Sequence, residues 1–138
     1  MGDLARMRPV DHAVRRRVAT EVGRSFALDA GAGSGKTTVL TERLVNVLAA
    51  GVDVSRVAGI TFTEKAAGEL QRRVRDALEA RRQAAEETAE RADLDAALAR
   101  FHELRLSTIH RFCRELLAAE PLASRWAPGT EIGAGDGR

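Results

Sequence analysis

Near the start of the chain, Val14, Val18 and Val22 recur at helical spacing, with Arg15, Arg16 and Arg17 between them. The spacing predicts a short helix over residues 11–22, capped by Asp11 and broken by Gly23. Ser25-Phe26-Ala27-Leu28 is an apolar run of the length and kind that buried strands carry. It enters a glycine-rich stretch, residues 30–35. Beyond that, Val39, Leu40, Leu44, Val47 and Leu48 share one face of a helix predicted over 36–50 and ended by Gly51.

The pattern then repeats. Residues 57–62 read as a second buried strand, and Thr63 can cap a helix whose apolar face is Ala67, Leu70, Val74, Ala77 and Leu78. Residues 79–92 mix charges of both signs with alanine and read as a solvated helix or helical linker. Leu94, Leu98 and Phe101 add an amphipathic turn or two. Leu104-Arg105-Leu106-Ser107 is a third candidate strand. A helix follows with Ile109, Phe112, Cys113, Leu116 and Leu117, ended by Pro121. Cys113 is expected in the core beside Phe112 and Leu116. Trp126 is a packing anchor, and residues 127–138 read as a glycine-rich frayed tail behind a domain over 1–126. Strand–helix order repeated three times predicts an α/β fold with a parallel sheet, flanking helices and right-handed crossovers. Three strands are few for such a sheet, so the fold is expected to be incomplete in this chain.

Composition narrows the class. With 44% hydrophobic and 30% charged residues among 138, the chain is globular in type rather than disordered. No apolar run reaches membrane-spanning length, no segment resembles a secretory leader, and a single Cys suits a reducing compartment; a cytoplasmic protein without a membrane partner is expected. The net charge is only +2, and all but two of the 22 basic residues are arginine. That bias fits a GC-rich coding sequence and says little about polyanions. It does single out Lys36 and Lys65, and both lie inside motifs.

Ala30-Gly31-Ala32-Gly33-Ser34-Gly35-Lys36-Thr37 follows a predicted strand and opens a predicted helix. This is the phosphate-loop pattern, with Ala30 where the strict form has Gly. Glycines let successive N–H groups turn toward phosphate oxygens, and the helix N-terminus favours the anion. Lys36 can reach the β- and γ-phosphates, and the Thr37 hydroxyl can ligate Mg²⁺. The bland alternative is a glycine-rich turn with a surface lysine.

Two further motifs end the other predicted strands: Thr61-Phe62-Thr63-Glu64-Lys65-Ala66-Ala67 and Ser107-Thr108-Ile109-His110-Arg111-Phe112. Ligands of open α/β sheets sit beyond the carboxyl ends of strands, so all three motifs are expected along one edge. Hydroxyls and a cation there suit nucleic-acid phosphates, and Phe62 suits base stacking. From the chemistry alone, Phe62 reads rather as a core aromatic, and His110 as a locally packed helix-start residue.

Together, the loop with Thr38, the run Ile60–Leu70 and the run Ser107–Cys113 strongly resemble the UvrD/Rep family of superfamily-one DNA helicases. Glu64 and the Ser-Thr-Ile-His form resemble most the AddA/RecB branch, the motor subunits of helicase–nuclease complexes. The resemblance covers roughly residues 11–121. It implies a RecA-like P-loop motor domain that binds ATP and Mg²⁺ through residues 30–37. Single-stranded DNA would stack on Phe62, flanked by Thr61, Thr63 and Lys65, with Thr108 and His110 along its backbone. It further implies 3'–5' translocation, a role in DNA repair or recombination, and a nuclease or helicase partner chain. Where the family reads adenine with Gln, this chain offers His12; where many relatives have Arg after the Lys-Thr pair, it has Thr38. No apolar run ends in the family's Asp-Glu, Glu86-Glu87 reads as a solvated face, and the second motor domain with its arginine finger is absent from this sequence. A segment of an ATP-driven translocase and a non-catalytic nucleotide- or DNA-binding remnant of one therefore both remain open. An unrelated P-loop kinase has no use for Phe62.

Overall fold

The computed structural model describes residues 12–29, 31 and 33–119. Expectations resting on Asp11, Ala30, Ala32, Pro121, Trp126 and residues 127–138 lie outside them.

The first helix, α1 (His12–Thr20), buries Val18 and Ala19 against α2 (Lys36–Ala49). Helix α2 turns Val39, Thr41, Leu44, Val45 and Leu48 inward, while Leu40 stays exposed. The expected face is thus rotated slightly toward Thr41 and Val45. Thr41 tolerates burial because its hydroxyl donates to the Thr37 carbonyl at 2.8 Å.

Strand β1 (Ala58–Thr61) leads through Thr63 into α3 (Glu64–Ala84). The Thr63 hydroxyl accepts the Ala66 N–H at 3.1 Å, which satisfies one of the donors that a helix start leaves unpaired. Ala67, Leu70, Val74 and Leu78 form the buried stripe, as their spacing requires. The polar stretch 79–92 is two elements, not one. Helix α3 runs to Ala84, buried Ala85 turns the chain, and α4 (Thr88–Ala99) begins after exposed Glu86 and Glu87. Leu94 and Ala97 hold α4 in the core, and Arg81–Glu90 and Arg82–Asp95 ion pairs bridge the two helices outside it.

Strand β2 (Arg105–Thr108) pairs parallel to β1 with Thr61 opposite Thr108, and α5 (Ile109–Ala119) leaves its end. Helix α3 packs on both strands, and α2 and α4 pack on α3. Leu48, Leu70, Val74, Leu78, Leu94 and Leu106 are the fully buried centre. Gly59 makes this packing possible, because a Cβ there would lie 2.6 Å from Leu106 Cδ2.

Two expectations fail. Among the described residues the sheet has two strands, and residues 25–28 are not one of them. Strand geometry needs a neighbouring edge, and neither edge of this sheet takes the run. Its Phe26 ring instead lies under the guanidinium groups of Arg24 and Arg43, 5.9 and 5.4 Å from their carbons, and Leu28 is 44% exposed. Nor does Cys113 pack in the core. It is exposed, and no residue of α5 is buried, because no described element crosses the apolar stripe of that helix. Leu116 is left 44% exposed there.

Candidate functional site

The chain passes from residues 25–29 into the loop at Gly31 and starts α2 at Lys36. Gly33 (φ 74°) and Gly35 (φ 83°) both adopt the left-handed conformation that L side chains rarely take. Among the described residues, nothing lies within 4 Å of where a Cβ on Gly31 or Gly33 would stand. No side-chain hydrogen bond caps the start of α2 at Gly35. Ser34 Oγ is buried without a hydrogen-bond partner among the described residues. A buried orphan hydroxyl beside an uncapped helix start and open glycine backbone fits an incoming polyphosphate, which brings acceptor oxygens to all of them. Lys36 and Thr37, both exposed, stand at that helix start.

Helix α1 lies against this loop. The Arg15 guanidinium comes within 2.6 Å of where a Cβ on Gly35 would be. Glycine at 35 is required by its φ; the Arg15 guanidinium, at the end of a flexible side chain, can shift aside. His12 and Arg16 of α1 line one wall of a groove of about 790 Å³, and Thr38 and Glu42 of α2 line another. His12 and Thr38 thus share one groove, which is where a base could lie beyond the phosphates.

The second and third motifs meet at the carboxyl end of the sheet, where the register sets Thr61 beside Thr108. Phe62 is 95% exposed, which removes the core-aromatic reading. On either side of it the threonines are engaged locally: Thr61 Oγ1 donates to the Thr63 carbonyl at 3.1 Å, and Thr63 caps α3. These bonds hold the Phe62 backbone while its ring faces solvent. Lys65 and His110 are exposed, each one residue into its helix. Thr108 is buried; its hydroxyl donates to Glu64 Oε1 at 2.9 Å and accepts the Arg111 N–H at 3.3 Å. It therefore presents no free hydroxyl along the edge and acts on the surface through Glu64 and the start of α5. Among the described residues no strand joins the phosphate loop to this edge, contrary to expectation.

Arg72, Arg73 and Arg75 of α3 and Arg17 of α1 are paired within or beside their own helices. Arg72–Asp76, Arg73–Glu69 and Arg75–Glu79 are i,i+4 ion pairs along α3, Arg17 pairs with Glu21, and Arg75 also covers the Phe101 ring at 5.4 Å. Pairing of this kind marks solvated helix faces rather than a phosphate-binding stripe. Three contributions were not legible by motif: Arg15 against Gly35, Arg43 on α2, and Glu64 as the partner of Thr108. Each is a contact between elements distant in sequence. Only the helical spacing that turns Arg43 toward α1 could have hinted at one of them.

Among known proteins, the chain matches the UvrD/REP helicase N-terminal domain over residues 11–134. It is 32% identical over 103 residues, 75% of this chain, to the AddA chain of the ATP-dependent helicase/nuclease of Ligilactobacillus salivarius. It is 41% identical over 97 residues, 68% of this chain, to the protein of the same name from Desulforudis audaxviator. With that of Latilactobacillus sakei the identity is 36% over 95 residues, 69% of this chain. The matched region spans 8% of the length of the first two relatives and 11% of the third.

Proposed function

The chain belongs to the UvrD/REP helicase N-terminal domain family, and on that premise we propose that it is the ATP-binding segment of an ATP-dependent single-stranded-DNA translocase of the helicase/nuclease type. The observation that carries this reading is the loop: two left-handed glycines, a buried hydroxyl without a partner among the described residues, and an uncapped helix start opening on Lys36 and Thr37. Gly31, Gly33, Ser34 and Gly35, with Ala30 and Ala32 of the same motif, cradle the phosphates. Lys36 neutralises charge on the outer phosphates, and Thr37 ligates the Mg²⁺ that comes with them. His12 faces the base across from Thr38. Bound Mg²⁺ would supply further charge neutralisation at the β- and γ-phosphate oxygens.

On the DNA side, Phe62 offers its ring to a base, held out by Thr61 and Thr63, while Lys65 and His110 flank it toward the backbone. Thr108 orders this edge from beneath. A kinase-type phosphoryl transfer has no use for an aromatic so exposed. The relatives' names, helicase and nuclease together, support a DNA substrate and a nuclease or helicase partner chain. The same proposal carries 3'–5' translocation, work in repair or recombination, and a cytoplasmic setting, each on the strength of the family resemblance. Among the described residues no helix is long and apolar enough to cross a membrane.

Calorimetric titration with Mg-ATP tests the reading. A charge-assisted phosphate contact is worth roughly 1.5–3 kcal/mol. Lys36→Ala should therefore weaken binding by about ten- to a hundredfold. Equal affinity in both proteins would sink it.

A further inference from the structure

Arg43 is half-buried in the middle of α2, and its guanidinium gathers four backbone carbonyls from a different part of the chain. Nη1 donates to Val18 O at 2.5 Å and to Glu21 O at 3.2 Å. Nη2 donates to Val22 O at 3.3 Å and to Arg24 O at 2.6 Å. The same group lies 5.4 Å from the centre of the Phe26 ring. One turn on, Asn46 Nδ2 donates to Ala19 O at 2.9 Å.

The last carbonyls of a helix have no partner within it and carry the negative end of its dipole. A planar cation with five fixed donors suits such a cluster better than any other side chain. Arg43 is thus a cap for α1 and for the turn after it, supplied from α2.

Its consequence lies at the other end of α1. The phosphate loop is continuous with α2, so its placement on that helix is local. His12, Arg15 and Arg16 reach the loop and groove from α1 instead, and residues 21–35 between the two helices contain no helix or strand among those described. What fixes α1 on α2 is the packing of Val18 and Ala19 together with the Arg43 and Asn46 bonds. We propose that Arg43 is a positioning residue for nucleotide recognition: it locks α1 against α2, so that the α1 side chains meet the nucleoside end of a bound nucleotide. The inference rests on the loop being a nucleotide site.

The test compares two ligands, Mg-ATP and inorganic tripolyphosphate, on the 138-residue chain. Tripolyphosphate needs the loop, with Arg15 beside it; ATP also needs the groove wall of His12 and Arg16. For Arg43→Lys, whose single ammonium cannot span four carbonyls, the preference for ATP over tripolyphosphate should fall by about tenfold. The tripolyphosphate affinity itself should stay within about twofold. Asn46→Ala, which removes one strap and keeps the clamp, should move the same ratio less, and it serves if Arg43→Lys fails to fold. A ratio unchanged in the folded variant, or equal loss for both ligands, overturns the inference while leaving the nucleotide site intact. Failure of the unaltered protein to bind either ligand overturns the site itself, and the inference with it.

Discussion

Thr108 donates its hydroxyl proton to Oε1 of Glu64 across 2.9 Å, joining the residue that ends β2 to the residue that begins α3. The same threonine oxygen accepts the Arg111 N–H and so caps α5. One buried threonine therefore sets two helix starts on one edge of the sheet, with Phe62 leading into the first of them. The residue pair is 44 positions apart and becomes adjacent only because Thr61 and Thr108 face each other in register.

Thr108→Val keeps the shape and removes both bonds. Loss of a helix cap costs about 1 kcal/mol, and an unmade side-chain bond adds a comparable amount. Urea unfolding should show a loss of about 1–3 kcal/mol with an unchanged slope. Thr108→Ser, which restores donor and acceptor, should recover most of it. A valine variant as stable as the parent would mean that the Glu64 contact contributes nothing.

Much of this arrangement is legible in the sequence, and the reasons differ by element. Helices α2 and α3 declare themselves because every third or fourth residue is apolar over several turns, and Thr63 caps where its spacing says it should. The phosphate loop is legible because its chemistry is local: consecutive glycines and a Lys-Thr pair. Residues 25–28 mislead because an apolar run reports a wish for burial, not the presence of a neighbouring edge. Cys113 misleads for the same reason, since its helix has an apolar stripe that no described element covers. Arg15, Arg43 and Glu64 are invisible in the sequence because their partners are set by tertiary approach.

Phe62→Ala should weaken binding of a short single-stranded oligonucleotide by about tenfold, since stacking is worth roughly 1–3 kcal/mol per base. With the ring 95% exposed, its removal should leave the far-UV circular dichroism and the melting temperature in place. A loss of folding would contradict the exposure; unchanged DNA affinity would contradict the stacking role. The same titration repeated from low to moderate salt should show a shallow fall in affinity, because the arginines along α3 are engaged with carboxylates.

Asp53 gives an acid-stability prediction remote from the site. Its carboxylate accepts from the Ser55 hydroxyl at 2.6 Å, from Arg100 Nη1 at 2.5 Å and from the Ser55 N–H at 2.9 Å. The Ser55 hydroxyl first, then Arg100, then the Ser55 N–H hold its pKa down to about 2. An unfolded Asp binds its proton at pH ~3.9, so between those values the unfolded chain carries more protons than the folded one. The contribution is therefore full above about pH 4 and lost as pH falls toward 2. Asp53→Asn should lower stability at about pH 6 and flatten its decline between about pH 4 and 2, read from urea midpoints across that range. Parallel curves for the two proteins would show that the carboxylate is not held as described.

The sharpest prediction concerns turnover: the 138-residue chain should bind Mg-ATP without hydrolysing it at a helicase-like rate. Hydrolysis needs a metal fixed by a carboxylate, a water oriented for in-line attack, and neutralisation of charge on the departing phosphate. The loop supplies Lys36 and Thr37 toward the first and last of these and nothing toward the second. No apolar strand in the sequence ends in Asp-Glu. Of the carboxylates that could substitute, Glu86 and Glu87 sit exposed in the α3–α4 connection, and Asp93 lies against Gly51 at the far end of α2. Among the described residues no three His, Cys, Asp or Glu side chains are grouped as metal ligands. An arginine finger supplied by another domain or chain is typically worth about 10³–10⁵ in rate. Steady-state phosphate release with saturating single-stranded DNA should therefore stay near the level of Lys36→Ala, the control for contaminating ATPase. Turnover of about one per second, abolished in that variant, would mean that a carboxylate already in this chain completes the site.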